Sequence, residues 1–204
     1  MENILKRIEK LSGKHSEKEI FRDMVKMYAI SISNALNMDK KLEKEYLSIT
    51  SRYSKEELIN ISQLIGLIII ELENNPRDVL GELFMLMNVG NSKDQYFTPF
   101  NVAQLLTTLA STDESDDTLI KVHDPACGSG ATIIAKALDL KGNNINYHKN
   151  MKVYASDIDR TVLMMCYIQL SLLGINAVCE VKDALSNEEG EKWYTPMYYF
   201  CKII

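Results

Sequence analysis

Through the first ninety residues, apolar positions recur at helical spacing. Ile4, Leu5, Ile8 and Leu11 fall at intervals of three and four, one face of a 3.6-residue period. Ser16 stands three residues before Glu19 in a capping-box arrangement, and Phe21, Met24, Val25, Tyr28 and Ile32 continue an apolar face behind it. Ser54 and Glu57 repeat the signal ahead of Leu58, Ile61, Leu64, Ile65 and Ile68. A further helix is expected from near Pro76, carrying Val79, Leu80, Leu83, Phe84 and Met87. About four helices joined by short polar connections make residues 1–90 a helical subdomain. Met24, Met27, Met85 and Met87 read as core filling, a use to which flexible thioethers are suited.

Beyond this point the pattern changes. A polar hinge, Gly90 to Asp94, leads into Gln95-Tyr96-Phe97-Thr98-Pro99, where Thr98 suits a cap and Pro99 the first turn of a helix through Val102, Leu105, Leu106 and Leu109. An acidic loop, Thr112 to Asp117, follows. Then comes LIKVHDPACGSGAT, residues 119–132: an apolar run with Ile120 and Val122, a Gly128-Ser129-Gly130 turn, and a helix through Leu138. A polar loop, Gly142 to Asn150, precedes a second strand, Met151 to Ser156, ending in Asp157-Ile158-Asp159. An apolar helix from Val162 to Leu173 stops at Gly174, and a third strand runs from Ala177 to Lys182, ending in Asp183-Ala184-Leu185. Strand and helix alternating three times predict a parallel sheet with right-handed crossovers. Residues 91–204 are therefore expected to form a partial α/β domain.

Charge narrows the partners. Residues 1–90 carry 13 basic and 14 acidic side chains and residues 91–204 carry 10 and 14, for a net charge of −5. Neither half attracts a polyanion globally, so nucleic acid would need a local basic patch or a partner. Cys127, Cys166, Cys179 and Cys201 form no CxxC pair and no histidine cluster accompanies them, which argues against zinc and against a disulfide framework. The longest apolar run, around Ile65 to Leu72, is broken by Gly66 and Glu71 and is too short to cross a membrane. MENILKRIEK has no signal-peptide core, so a cytoplasmic location is expected.

The glycine turn carries the candidate chemistry. Gly128 and Gly130 let backbone approach a ligand and enter a helix whose free N–H groups favour negative charge. A dinucleotide fingerprint requires a third glycine where this chain has Ile133, which disfavours NAD and FAD. A ligand bearing a carboxylate in place of a pyrophosphate fits better, and S-adenosylmethionine has one. Asp157, at the end of the second strand, is placed to accept from ribose hydroxyls, and Asp183 to lie beside an adenine ring. Both acids are equally of the type that caps helices or sits in solvated loops.

QYFTP, DPACGSG, ASDID and KDAL, in that order, resemble the front half of the amino (adenine-N6) DNA methyltransferases. The similarity points most to the modification subunits of type I restriction systems, and covers about residues 75–185. The helical region before it is more loosely similar to the segment those subunits place ahead of their catalytic domain. The resemblance implies an N-terminal helical subdomain followed by a truncated Rossmann-like methyltransferase fold that binds S-adenosylmethionine. Tyr96, Phe97, Thr98 and Pro99 would line the cofactor, with Thr98 near the methionine carboxylate. Asp124, Ala126, Cys127, Gly128 and Gly130 would cradle the methionine portion. Asp157 would hold the ribose, Ile158 would pack on the adenine ring, and Asp183 would meet its amino group.

The pattern then departs from that family. Its catalytic tetrapeptide, Asn/Asp-Pro-Pro-Tyr/Phe, holds the target amino group and stacks on a flipped base, and it is absent from these 204 residues. The nearest approximation is Thr195-Pro196-Met197-Tyr198, in which a hydroxyl replaces the amide or acid. Methylation by this chain alone is not expected. Only 19 residues follow Leu185, so the first strand is expected to be a sheet edge unless the strand-like tail, MYYFCKII, pairs with it. Otherwise a protein partner or a second copy covers the edge, and DNA is reached through a complex. The alternative is a catalytically inactive, methyltransferase-derived protein acting through protein contacts.

Overall fold

The computed structural model describes residues 1–88, 97–110 and 118–203. The hinge, Tyr96, the acidic loop and the division placed at residue 90 lie outside them. Five helices come first: α1 (Glu2–Leu11), α2 (Glu17–Leu36), α3 (Lys40–Thr50), α4 (Lys55–Asn74) and α5 (Val79–Asn88). Ser54 and Glu57 form a complete capping box on α4. At α2 only half of one forms: Ser16 accepts from the Glu19 amide, while the Glu19 carboxylate is turned toward Arg52, 3.4 Å away. Helix α3 adds a fifth to the four expected, announced by Asp39, whose carboxylate accepts from the Lys41 and Leu42 amides.

After α6 (Phe100–Ala110), strand and helix alternate as β1 (Ile120–Asp124), α7 (Ala131–Gly142), a short α8 (Tyr147–Asn150), β2 (Met151–Asp157), α9 (Arg160–Leu172) and β3 (Asn176–Val181). The order in the sheet is β1-β2-β3-β4, with the first three strands parallel. The fourth, β4 (Glu191–Tyr194), runs antiparallel to β3 and precedes α10 (Pro196–Ile203). The protein is thus an α/β fold: a helical region followed by a truncated Rossmann-like sheet.

Helix α9 forms the centre of the core. Val162 through Leu170 are all buried, because the helix is covered by β2 and β3 on one side and by α2 and α5 on the other. A single apolar cluster consequently runs from Ile4 and Ile8 through α2, α4 and α9 to Val153, Ala177 and Trp193 of the sheet.

One expectation changes, and two features go beyond the sequence pattern. The tail does not pair with β1: from Pro196 onward it is helix α10, which packs against β3 and α2. Aromatic character made it look strand-like, but Pro196 opens a helix readily. Tyr198 stacks with Tyr194 at 4.8 Å, and Lys202, one turn on, lies 4.4 Å over the Tyr198 ring. Strand β1 is accordingly a sheet edge among the described residues. On the β1–β2 side the sheet also has a polar face, where Lys121 stands beside Lys152 and His123 beside Tyr154. Both lysines and His123 are exposed, unlike the continuously apolar strands of a parallel sheet covered on both faces. In α6 it is Ala103 and Thr107 that are buried, because Ala131 and Ala135 of α7 lie close against Ala103. Small residues allow that approach, and Val102, Leu105, Leu106 and Leu109 face outward.

Arg160 joins the helical layer to the far edge of the sheet. Its guanidinium reaches Glu45 of α3 at 2.7 and 2.9 Å and Glu191 of β4 at 2.6 and 3.1 Å, and it lies 5.6 Å over the Trp193 ring. The Arg160 hydrogen bond holds the Glu45 carboxyl below its usual range. Arg160→Ala should cost about 2 kcal/mol, the sum of two partly exposed pairs and a cation–π contact, lowering Tm by roughly 4–8 °C. Because Glu45 is depressed, its contribution is present above the unfolded carboxyl value near pH ~4 and is lost as pH falls through the folded one. The gap between the wild type and Arg160→Ala should therefore narrow in thermal scans below that pH. An equal gap at pH 3 and pH 7 would remove the ionic account.

Candidate functional site

Strand β1 runs into the glycine turn, β2 ends beside it, and the end of β3 lies next to that of β2, the Lys182 amide donating to the Asp157 carbonyl at 2.9 Å. The backbone of the turn is fastened to β2: the Cys127 amide donates to the Ser156 carbonyl at 2.9 Å and the Gly128 amide to Asp157 Oδ2 at 3.0 Å. Gly128 and Gly130 have φ of +56° and +98°, the left-handed region that glycine enters without steric cost. Space also requires glycine at both positions. A Cβ on Gly128 would stand 3.1 Å from the Phe97 ring, and one on Gly130 would stand 3.0 Å from Cys166 Sγ. Helix α7 starts immediately after the turn with no side-chain cap among the described residues, and the free amides of a first helical turn favour a negatively charged group.

Each acid in the site also supports the backbone. Asp124 accepts from the Ala126 amide at 3.2 Å and from Thr132 Oγ1 at 2.6 Å, binding the strand end to the first turn of α7. Asp157 accepts from the Gly128 amide through one oxygen and from the Asp159 amide through the other, at 2.9 Å. Asp159 in turn caps α9 through the Thr161 and Val162 amides. A carboxylate has about four lone-pair positions, so Asp157 still has acceptor capacity after both contacts. Asp183 is exposed and accepts from the Leu185 amide at 2.9 Å. Ile158 is 69% exposed, an apolar side chain standing in the open beside the strand-end acids.

Phe97 is half-buried with its ring against the turn, and Thr98 and Pro99 are exposed beside it. Pro99 precedes α6 instead of opening it: its carbonyl accepts from the Val102 and Ala103 amides. An apolar cleft of about 380 Å³ lies between α5 and this segment, bordered by Met85, Leu86, Phe97 and Pro99. Cys127 is buried beside Cys166. The hydrogen bond with Cys166 acts to lower the Cys127 thiol, but burial and the neighbouring Cys179 and Asp157 outweigh it and push it up. Hydrogen bonds with Cys127 and Cys179, with burial, push Cys166 well up. Thiols kept protonated in this way are poor nucleophiles. Among the described residues, no group of three potential ligands is placed to hold a metal ion, and no helix is long and apolar enough to cross a membrane.

Thr195, Pro196 and Tyr198 are not brought to this place. Thr195 is fully buried at the amino end of β3, donating to the Ile175 carbonyl at 2.8 Å and accepting from the Ala177 amide at 2.9 Å. The length of β3, roughly 20 Å for six residues, separates it from the strand ends. In contrast, Asp78 and Gln169, unremarked in the sequence, are buried under the turn and hydrogen-bonded to Ser129. The available signal was Asp78 directly ahead of the apolar residues of α5, an N-cap pattern.

The chain is 27% identical over 198 residues to the type I restriction enzyme MpnII methylase subunit of Mycoplasma pneumoniae, a match covering 87% of this chain and 35% of that protein. It thus spans about a third of that relative's length. Among solved structures, a protein assigned as a class I S-adenosylmethionine-dependent methyltransferase from Listeria monocytogenes superposes with a TM-score of 0.47 at 17% identity, over 81% of this chain and 55% of the other. The type I restriction-modification methyltransferase subunit from Streptococcus thermophilus gives 0.40 at 9% identity, over 85% and 54%. The pattern that describes N-6 DNA methylases matches residues 76–198, from ahead of α5 to within α10, and the chain belongs to that family.

Proposed function

We propose that this chain binds S-adenosylmethionine and forms the cofactor-holding part of a DNA adenine-N6 methyltransferase whose acceptor site is completed by a protein partner. The observation that carries this reading is the convergence of a left-handed glycine turn, an uncapped helix start and strand-end carboxylates on one place. The residues fit the group. Open α7 amides favour the methionine carboxylate, Asp157 has lone pairs left for ribose hydroxyls, and Ile158 and Asp183 offer an apolar face and an acceptor to adenine. Phe97, Thr98 and Pro99 would border the methionine end. When bound, the cofactor supplies an activated methyl group on its sulfonium. The chain's own contribution is to orient that group and to keep the competing thiols of Cys127 and Cys166 protonated.

The acceptor side is the basis for a partner. Thr195 spends its hydroxyl on backbone at the wrong end of β3, and the net charge of −5 gives no general attraction to DNA. The Mycoplasma relative is named as a subunit, in keeping with a protein that works in a complex. Strand β1, a sheet edge among the described residues, and the outward leucines of α6 are the surfaces on which a partner or a second copy would sit. The second reading, an inactive methyltransferase-derived protein acting through protein contacts, is favoured by the same buried Thr195.

Titration calorimetry with S-adenosylhomocysteine should give saturable one-site binding to the wild type. Asp157→Ala should weaken it at least tenfold, a loss of about 1.4 kcal/mol; equal affinities would place the ribose elsewhere. With tritiated S-adenosylmethionine and adenine-containing duplex DNA, the purified chain should transfer no label, and transfer should appear when its natural partner is added. Transfer by the pure chain would end the need for a partner, and binding with no transfer in any combination would leave the inactive reading standing.

A further inference from the structure

We propose that Asp78 is a positioning residue for the glycine turn, and that helix α5 is the element through which the helical region sets the affinity for S-adenosylmethionine. This rests on the cofactor reading above. The carboxylate of Asp78 is 3% exposed and is hydrogen-bonded through both oxygens. Its Oδ1 accepts from the Gly81 amide at 2.9 Å and from Gln169 Nε2 at 2.8 Å, and its Oδ2 accepts a short hydrogen bond from Ser129 Oγ. Gln169, itself wholly buried, donates also to the Ser129 carbonyl at 2.9 Å and accepts from the Leu80 amide at 3.0 Å. Ser129 is the middle residue of the turn, between the two left-handed glycines. Both its side chain and its carbonyl are thereby fixed from outside the motif.

An ordinary helix cap does not call for this arrangement. A capping aspartate serves its own helix at the surface, where water solvates the charge. Burying a carboxylate costs several kcal/mol unless donors replace that water, and two of the three donors here come from elements distant in sequence. The approach is close enough to require glycine in α5 as well. A Cβ on Gly81 would collide with the Asp78 carboxylate and with Ser129 Oγ. Further along α5, the Phe84 ring meets Phe97 edge-on at 5.2 Å, and Phe97 lies against Gly128. One helix therefore holds the turn at Ser129 through hydrogen bonds and at Gly128 through an aromatic contact. A shift of α5 changes both.

The test compares Asp78→Ala, Asp78→Asn and Gly81→Ala with the wild type, using hydrogen exchange of residues 126–132 and calorimetric affinity for S-adenosylhomocysteine. Asp78→Ala should speed exchange in the turn at least tenfold and weaken binding at least tenfold, with exchange in α1–α4 unchanged. Asp78→Asn keeps an acceptor for Gly81 and Gln169 and offers Ser129 a donor, so it should stay within threefold of the wild type. Gly81→Ala removes no polar group and favours α5 as a helix, yet it should reproduce the Asp78→Ala effect by pushing α5 off the turn. This keeps the test decisive if Asp78→Ala does not fold. Unaltered turn exchange in both Asp78→Ala and Gly81→Ala, or faster exchange spread through all the helices, would overturn the proposal. Absence of binding by the wild type would instead remove the cofactor reading, with the exchange comparison still deciding whether Asp78 holds the turn.

Discussion

The burial of α9 from Val162 through Leu170 is the constraint on which the other parts of this protein depend. A helix with nine consecutive buried residues has no solvent face, so apolar cover must come from two sides. The parallel strands supply one side and α2 with α5 supply the other. Gln169 is a wholly buried polar side chain in the last third of that helix, and its amide has to find partners there. It finds Asp78, Leu80 and Ser129. The requirement to satisfy one buried amide thereby connects the start of α5 to the turn at the head of α7.

The strand-end acids serve structure before any ligand arrives. Asp124 ties β1 to α7, Asp157 holds the turn and the β2–α9 bend, and Asp159 begins α9. Carboxylates suit the double role because a bond to one amide leaves further lone pairs on the same oxygen. The proposed site is preorganised by the groups that would contact the cofactor, so a substitution at Asp157 loosens the backbone at the place where a ligand contact is proposed. Thr195 shows the opposite use of a polar group: its hydroxyl is consumed by the chain at Ile175 and Ala177, which leaves nothing to offer a substrate.

Elements with local signals were legible in the sequence. The periodic helices, the three parallel strands and the glycine turn follow from spacing and from residues whose backbone preferences are strong. The helix at 196–203 was misread because its aromatic residues suit strands by propensity, whereas stacking between Tyr194 and Tyr198 and the contact with β3 favour a helix. The buried face of α6 is not marked by hydrophobicity, because small side chains allow the closer packing, as Ala103 does against Ala131 and Ala135. Strand β4 was missed because Glu191-Lys192-Trp193-Tyr194 is too short for a periodic signal, although Trp193 is nearly fully buried. Asp78 and Gln169 could not be paired with Ser129 by any local rule, since they act across the fold.

Those long-range bonds bear on how the protein acquires its competence. Ser129 meets Asp78 across 51 residues of chain, and Asp78 meets Gln169 across 91. Contacts of such separation are reached only after intervening loops have closed, and loop closure costs entropy before the contact returns any stabilisation. The turn is fastened to β2 by a bond spanning 29 residues, from Gly128 to Asp157, whereas the support beneath Ser129 must await the docking of α5 and α9. A fragment beginning after α5 would still contain Asp124, the two glycines, Asp157 and Asp183, yet Ser129 would have lost the Asp78 carboxylate. Possession of the motif and possession of a rigid turn are separate properties of this chain.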